Sequence, residues 1–166
     1  MRKLRKPASA GLAGLGFLVL TSCGSAAAVS GSSGVPAVAC VNPGAPHRAH
    51  LVVEHASGAT VDKCVGFSSV QIAGDVLMKE SGIVYQTQHF SFGDGVCAID
   101  LEPRSFDTCL PQGAPYWALW TETAGGAWQQ AQTGFAAVKL GPGDALGWRY
   151  TPSTDTNPSP PPAPKK

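Results

Sequence analysis

The hydrophobic pattern changes period twice between residues 50 and 150. The run 50-HLVVEH-55 is rich in β-branched residues. It is followed by 56-ASGA-59, with Gly58 suited to a positive φ, and by 60-TVDKCVGF-67, where Val61, Val65 and Phe67 share one side. This pattern predicts a β-hairpin. In 69-SVQIAGDVLMKESG-82 the period lengthens, and Ile72, Ala73, Val76 and Leu77 fall on one helical stripe. Ser69 is the expected N-cap and Gly82 the glycine that ends the helix. A period of two returns in 83-IVYQTQHFSF-92, where Phe90 and Phe92 alternate. The stretch 93-GDG-95 is expected to break it, and 96-VCAIDLEP-103 reads as short and extended. After the loop 104-RSFDTCLPQGA-114 comes the clearest strand, 115-PYWALWTET-123, then the turn 124-AGGA-127. The segment 128-WQQAQTGFAAVKL-140 starts irregularly and ends with Ala136, Val138 and Leu140 in alternation. A turn at 141-GPGD-144 and a strand at 145-ALGWRY-150 complete the pattern.

A hairpin, one helix and then several strands predict an α+β fold. The expected form is a small β-grasp-like domain over residues 40–150, with the helix packed on a mixed or antiparallel sheet. On the strand 115–123, Tyr116, Ala118 and Trp120 face one way, and Trp117, Leu119 and Thr121 the other. The second set is the more apolar and is expected to cover Ile72, Val76 and Leu77. Tyr116 and Trp120, joined by Trp128, are then left on an open face. A flat ligand, a partner protein or the chain's own loop must cover them. Two readings stay open: aromatics that fill a small core, or Tyr116, Trp117, Trp120 and Trp128 as a ligand-binding wall with the loop 104–114 as its lid.

The two ends differ from this domain in composition. MRKLRK is basic and ASAGLAGLGFLVL is an apolar run too short for a comfortable transmembrane helix, so residues 1–22 read as a signal peptide. It ends in 20-LTSC-23, which resembles a bacterial lipobox and implies a lipid on Cys23. The alternative is a secretory signal cut later, near Ala28. Residues 23–39 read as a flexible tether. Residues 151–166 read as a proline-rich disordered tail, extended and partly polyproline II. The expected location is extracytoplasmic: lipid-anchored at a bacterial cell membrane, or secreted if the lipobox is not used.

Loss of the signal peptide removes Arg2, Lys3, Arg5 and Lys6 and leaves more acidic than basic residues. No basic patch of the kind that neutralises phosphates remains, so nucleic acid is not an expected partner. Besides Cys23 there are four cysteines: Cys40, Cys64, Cys97 and Cys109. An even number in an exported domain predicts disulfides. The favoured pairing is Cys97–Cys109, closing a loop of ordinary size, with Cys40–Cys64 stapling the first residues of the domain to an early strand. Zinc is the competing use, but no pair has C-x-x-C spacing and His47, His50, His55 and His89 form no ligand motif. No metal site is expected. Nor is an enzyme: there is no G-x-S-x-G, no H-E-x-x-H and no carboxylate pair that spacing brings together.

Several segments in order resemble the C-terminal domain of transcobalamin and intrinsic factor, and the exported bacterial domains similar to it. They are the hairpin, the helix 74-GDVLMKESG-82, the aromatic strand 89-HFSFGDG-95 and the cysteine-bounded loop 97-CAIDLEPRSFDTC-109. The series continues with 116-YWALW-120, 134-GFAAVKL-140 and 143-GDALGWRY-150. The resemblance implies a β-grasp-like fold in a class of soluble ligand-binding domains. In the vitamin carriers this domain shares a corrinoid with a separate helical domain, of which no counterpart is read in this sequence. The cysteines and the lipobox belong to the bacterial side of the resemblance. The expected function is a membrane-tethered module that binds a small planar ligand, with cobalamin as the candidate. No other cofactor is expected. The alternative is a module that docks on a transporter or surface protein, or a structural lipoprotein without a ligand.

Overall fold

The computed structural model describes residues 38–91 and 93–166. The signal peptide, Cys23, most of the tether and Phe92 lie outside the described residues. Among the described residues, ten strands, one α-helix and one 3-10 turn follow in order. They are β1 (Cys40–Val41), β2 (His47–Glu54), β3 (Thr60–Phe67), β4 (Ile72–Ala73), α1 (Gly74–Glu80), β5 (Tyr85–Phe90) and β6 (Gly93–Ile99). Then come β7 (Tyr116–Glu122), β8 (Trp128–Gln130), the 3-10 turn Phe135–Ala137, β9 (Lys139–Leu140) and β10 (Ala145–Thr151).

Six strands form one sheet in the order β1-β3-β2-β10-β7-β8. The hairpin β2–β3 is antiparallel, with Val53 opposite Val61 and Ala49 opposite Val65. The last strand, β10, enters at the centre. It runs parallel to β2, with Leu146 opposite Leu51, and antiparallel to β7, with Trp148 opposite Leu119. Two small pairs, β4–β9 and β5–β6, complete the architecture. The described residues therefore form a small α+β fold, mostly sheet, with one helix and two disulfides.

The core lies on one face of the large sheet. Leu51, Val53, Val65, Leu146, Trp117 and Trp148 meet Leu77 and Met78 of α1, Phe135 of the 3-10 turn, and Val96 and Ile99 of β6. Trp117 and Leu119 thus cover the helix side, as their strand periodicity requires. The helix is shorter than its hydrophobic stripe. Ser69 does not cap it; its hydroxyl donates to the Gln71 carbonyl at 2.6 Å. Ile72 and Ala73 are drawn into pairing with Leu140 and Lys139 instead. Starting at Gly74 rotates the buried face, so Leu77 and Met78 are inside and Val76 is exposed. Gly82, at φ +69, ends the helical turn as expected. The stretch 93-GDG-95 does not break the strand pattern. Gly93 opens β6, which folds back on β5.

Both favoured disulfides are present. Cys40 and Cys64 are opposite one another in the β1–β3 ladder, with Cα atoms 4.3 Å apart. Cys97 and Cys109 are 4.9 Å apart and close the loop that follows β6. Two disulfides fit an oxidising compartment outside the cytoplasm. No helix among the described residues is long and apolar enough to cross a membrane.

Candidate functional site

The cleft begins where β6 ends. Asp100 and Leu101 turn the chain with φ values of 48° and 63°. The ends of that turn are closed by mutual backbone hydrogen bonds between Ile99 and Glu102, at 3.0 and 2.9 Å. The buried Trp117 indole N–H donates to the Glu102 carbonyl at 3.0 Å, which ties the turn to β7. Beyond it the chain loops outward and is caught again by the Cys97–Cys109 bond. Between this loop and the end of the sheet lies a cleft of about 440 Å³, walled by Phe106, Tyr116, Trp117 and Tyr150. Ser105, Asp107 and Thr108 supply its polar edge. Trp117 and Tyr150 pack together with ring centroids 4.9 Å apart at 51°. Burial raises the Tyr150 hydroxyl above its ordinary pKa of 10.0, and the nearby Glu102 carboxylate adds to this. The phenol is a neutral hydrogen-bonding group at physiological pH.

His55 sits just behind this wall. Its Nδ1–H donates to Glu102 Oε2 at 2.8 Å, and its Nε2 lies 3.6 Å from Asp100 Oδ2. The ring meets Trp117 edge-on at 5.8 Å. The Glu102 carboxylate also accepts from the Ala56 backbone N–H at 3.2 Å, so the group braces the turn from outside. No cluster of His, Cys, Asp and Glu among the described residues is arranged to hold a metal ion.

The structure separates the four aromatics picked out by the sequence. Tyr116 and Trp117 are in the cleft. Trp120 and Trp128 are on the opposite face of the sheet, brought together by β7–β8 pairing in which Glu122 faces Trp128. That back face is covered by the proline-rich segment. Pro158, Pro161 and Pro164 are buried while the residues between them are exposed. A three-residue burial period is that of a polyproline II helix laid on a surface. The Arg149 guanidinium donates to the Ser159 carbonyl at 3.3 Å and to the Ser159 hydroxyl. The Lys165 backbone N–H reaches Asp62 Oδ2 at 2.6 Å, and Lys166 Nζ reaches Glu122 Oε1 at 2.9 Å. The segment read as a disordered tail is thus a docked strap, because its prolines find a face of the right shape.

Sequence periodicity did not reveal Phe106 or Tyr150 as cleft residues. Phe106 stands alone in a polar loop, and only its position inside a cysteine-bounded segment hinted at it.

No protein-family model matches this chain, and no curated protein matches it. Among solved structures, a "putative metal binding protein" from Ruminococcus gnavus ATCC 29149 superposes with a TM-score of 0.47 at 16% sequence identity, over 64% of this chain and 97% of that one.

Proposed function

We propose that the chain is an extracytoplasmic β-grasp-type module, held at a bacterial membrane through Cys23, that binds a small planar molecule beneath its disulfide-bounded loop. The β-grasp reading is supported by the succession of hairpin, helix and later strands, with the final strand β10 parallel to β2 beside it. The ligand reading rests on one observation: the cleft of about 440 Å³ with Phe106, Tyr116, Trp117 and Tyr150 on its walls. That volume lies in the range of small-molecule sites, which are mostly apolar with a few placed polar groups. The aromatic faces supply stacking area. Ser105, Thr108 and the neutral Tyr150 phenol supply orientation.

The cleft carries little charge, so it suits an uncharged or weakly polar ring system. A corrinoid is larger than the cleft and would engage it by one edge. It is the first ligand to test, followed by smaller planar metabolites. Intrinsic tryptophan fluorescence of the full chain reports binding, because Trp117 lines the cleft. A saturable change that weakens at least tenfold in Phe106→Ala and Tyr116→Ala, with circular dichroism unchanged, supports the proposal. No saturable change with any compound overturns it.

A further inference from the structure

The back face of the large sheet is built differently from the core face and invites a different ligand. Val52, Ala118 and Gly147 form a small-residue floor on three adjacent strands, and Trp120 and Trp128 rise from the β7–β8 side. A Cβ on Gly147 would lie 2.7 Å from the Pro161 ring and 2.7 Å from the Trp128 ring, so this glycine lets both rings reach the sheet. We infer that this face is a receptor groove for polyproline II helices. Residues 158–166 occupy it in cis, and it accepts in trans a proline-rich segment of another polypeptide with the same spacing.

The bound segment defines the specificity. Prolines at positions i, i+3 and i+6 turn their rings inward as Pro158, Pro161 and Pro164 do. Proline pre-sets φ, so such a segment loses little entropy when it docks. At the far end the groove is acidic. Glu122 is only 5% exposed, and its carboxylate is met by Lys166, while Asp62 accepts from the Lys165 backbone. The ligand therefore carries a lysine two residues after its last inward proline. The groove also holds donors that the cis segment does not use. The Trp120 indole N–H is buried without an acceptor, in a side chain 8% exposed, and the Trp128 indole N–H is in the same state. Indole N–H groups edging an aromatic groove are suited to the exposed carbonyls of a polyproline II helix, whose backbone makes no internal hydrogen bonds. A trans ligand shifted slightly along the groove satisfies them. The cis segment forms no strand ladder with the sheet, so exchange does not require a strand to be unzipped.

The test uses the full chain and a fluorescein-labelled peptide of residues 152–166. In Pro158→Ala/Pro161→Ala/Pro164→Ala the cis segment loses its anchors and the groove opens. The labelled peptide is expected to bind this variant saturably, at least tenfold more tightly than wild type, and adding Trp120→Ala is expected to remove that binding. A peptide with the same three prolines replaced by alanine is expected not to bind. Absence of binding to the folded triple variant, or equal binding of the alanine peptide, overturns the inference. Should the triple variant not fold, Lys166→Glu is used instead, because it turns the ion pair to Glu122 into a like-charge contact and leaves the three prolines in place. It is expected to take up the peptide several-fold better than wild type, and uptake no better than wild type likewise overturns the inference.

Discussion

Gly147 and Pro161 approach so closely that a Cβ on the glycine would stand 2.7 Å from the proline Cγ. The contact joins the central strand β10 to a segment fourteen residues further along, and it sets the price of any side chain at position 147. Gly147→Ala is expected to lower stability by about 1–3 kcal/mol, the usual cost of overpacking. Pro161→Ala removes one of the two rings that obstruct this position, the other being that of Trp128. The cost of Gly147→Ala should therefore be smaller in that background. Urea denaturation of the four chains of the cycle measures the coupling, and a coupling of zero would place the strap away from Gly147.

Much of this arrangement could be read along the chain. The alternation in 115-PYWALWTET-123 correctly divided Trp117 and Leu119 from Trp120, because a strand in a two-faced sheet has no other way to distribute them. Compartment and an even cysteine count pointed to disulfides, and the two pairs present are the favoured ones among three possible connectivities. The helix did not follow from its stripe. Ile72 and Ala73 satisfy the stripe but pair with β9, a tertiary contact that local periodicity cannot see. The strap was missed for a related reason. Composition alone marks 151–166 as unable to build a core, yet a proline helix needs only a complementary face, and that face is made by residues from five strands. Half of the site was concealed in the same way, since Tyr150 and Phe106 come together only through the disulfide loop.

The two disulfides are expected to differ in what they protect. Cys97–Cys109 closes a 12-residue separation and holds the loop that roofs the cleft. Replacing both by alanine is expected to cost about 2–4 kcal/mol and to abolish ligand-induced fluorescence change together with the loop. Cys40–Cys64 spans 24 residues, but it pins a two-residue edge strand, β1, far from the cleft in the strand order. Its removal is expected to fray β1 while ligand response persists. Amide hydrogen exchange on the two double variants separates these outcomes.

Tyr150 makes stability sensitive to alkali. Its folded pKa is raised, first by burial and then by Glu102, above the 10.0 of the unfolded chain, and Tyr85 is raised by burial and by Asp75. Between those values the folded state holds more protons than the unfolded state. Stability is therefore complete below about pH 10 and falls as pH rises through the folded pKa. Tyr150→Phe is expected to flatten part of that fall. Tyrosinate absorbance should show two phenols ionising late in the folded chain, and one late phenol in the variant.

Trp117 and Trp120 lie on the same strand, β7, but point to opposite faces, and phenylalanine at each should have unequal consequences. The Trp117 indole N–H is the donor that holds the Glu102 carbonyl at 3.0 Å, and Glu102 in turn holds His55 and the Ala56 backbone. Trp117→Phe keeps an aromatic ring in the core but removes that bond, and the carbonyl keeps only the Ile99 N–H. A loss of about 1–3 kcal/mol is expected, from the lost hydrogen bond and from the space the smaller ring leaves in the core. Exchange of the Glu102 and Ala56 amides should accelerate with it. The Trp120 indole N–H has no acceptor to lose. Trp120→Phe trades contact area for the removal of a stranded donor, and the two effects oppose each other. Its stability is expected to stay within about 1 kcal/mol of wild type, the size of a single net hydrogen bond. Urea midpoints for the two variants decide the matter: if Trp117→Phe proves the milder, the bond to Glu102 does not anchor the turn.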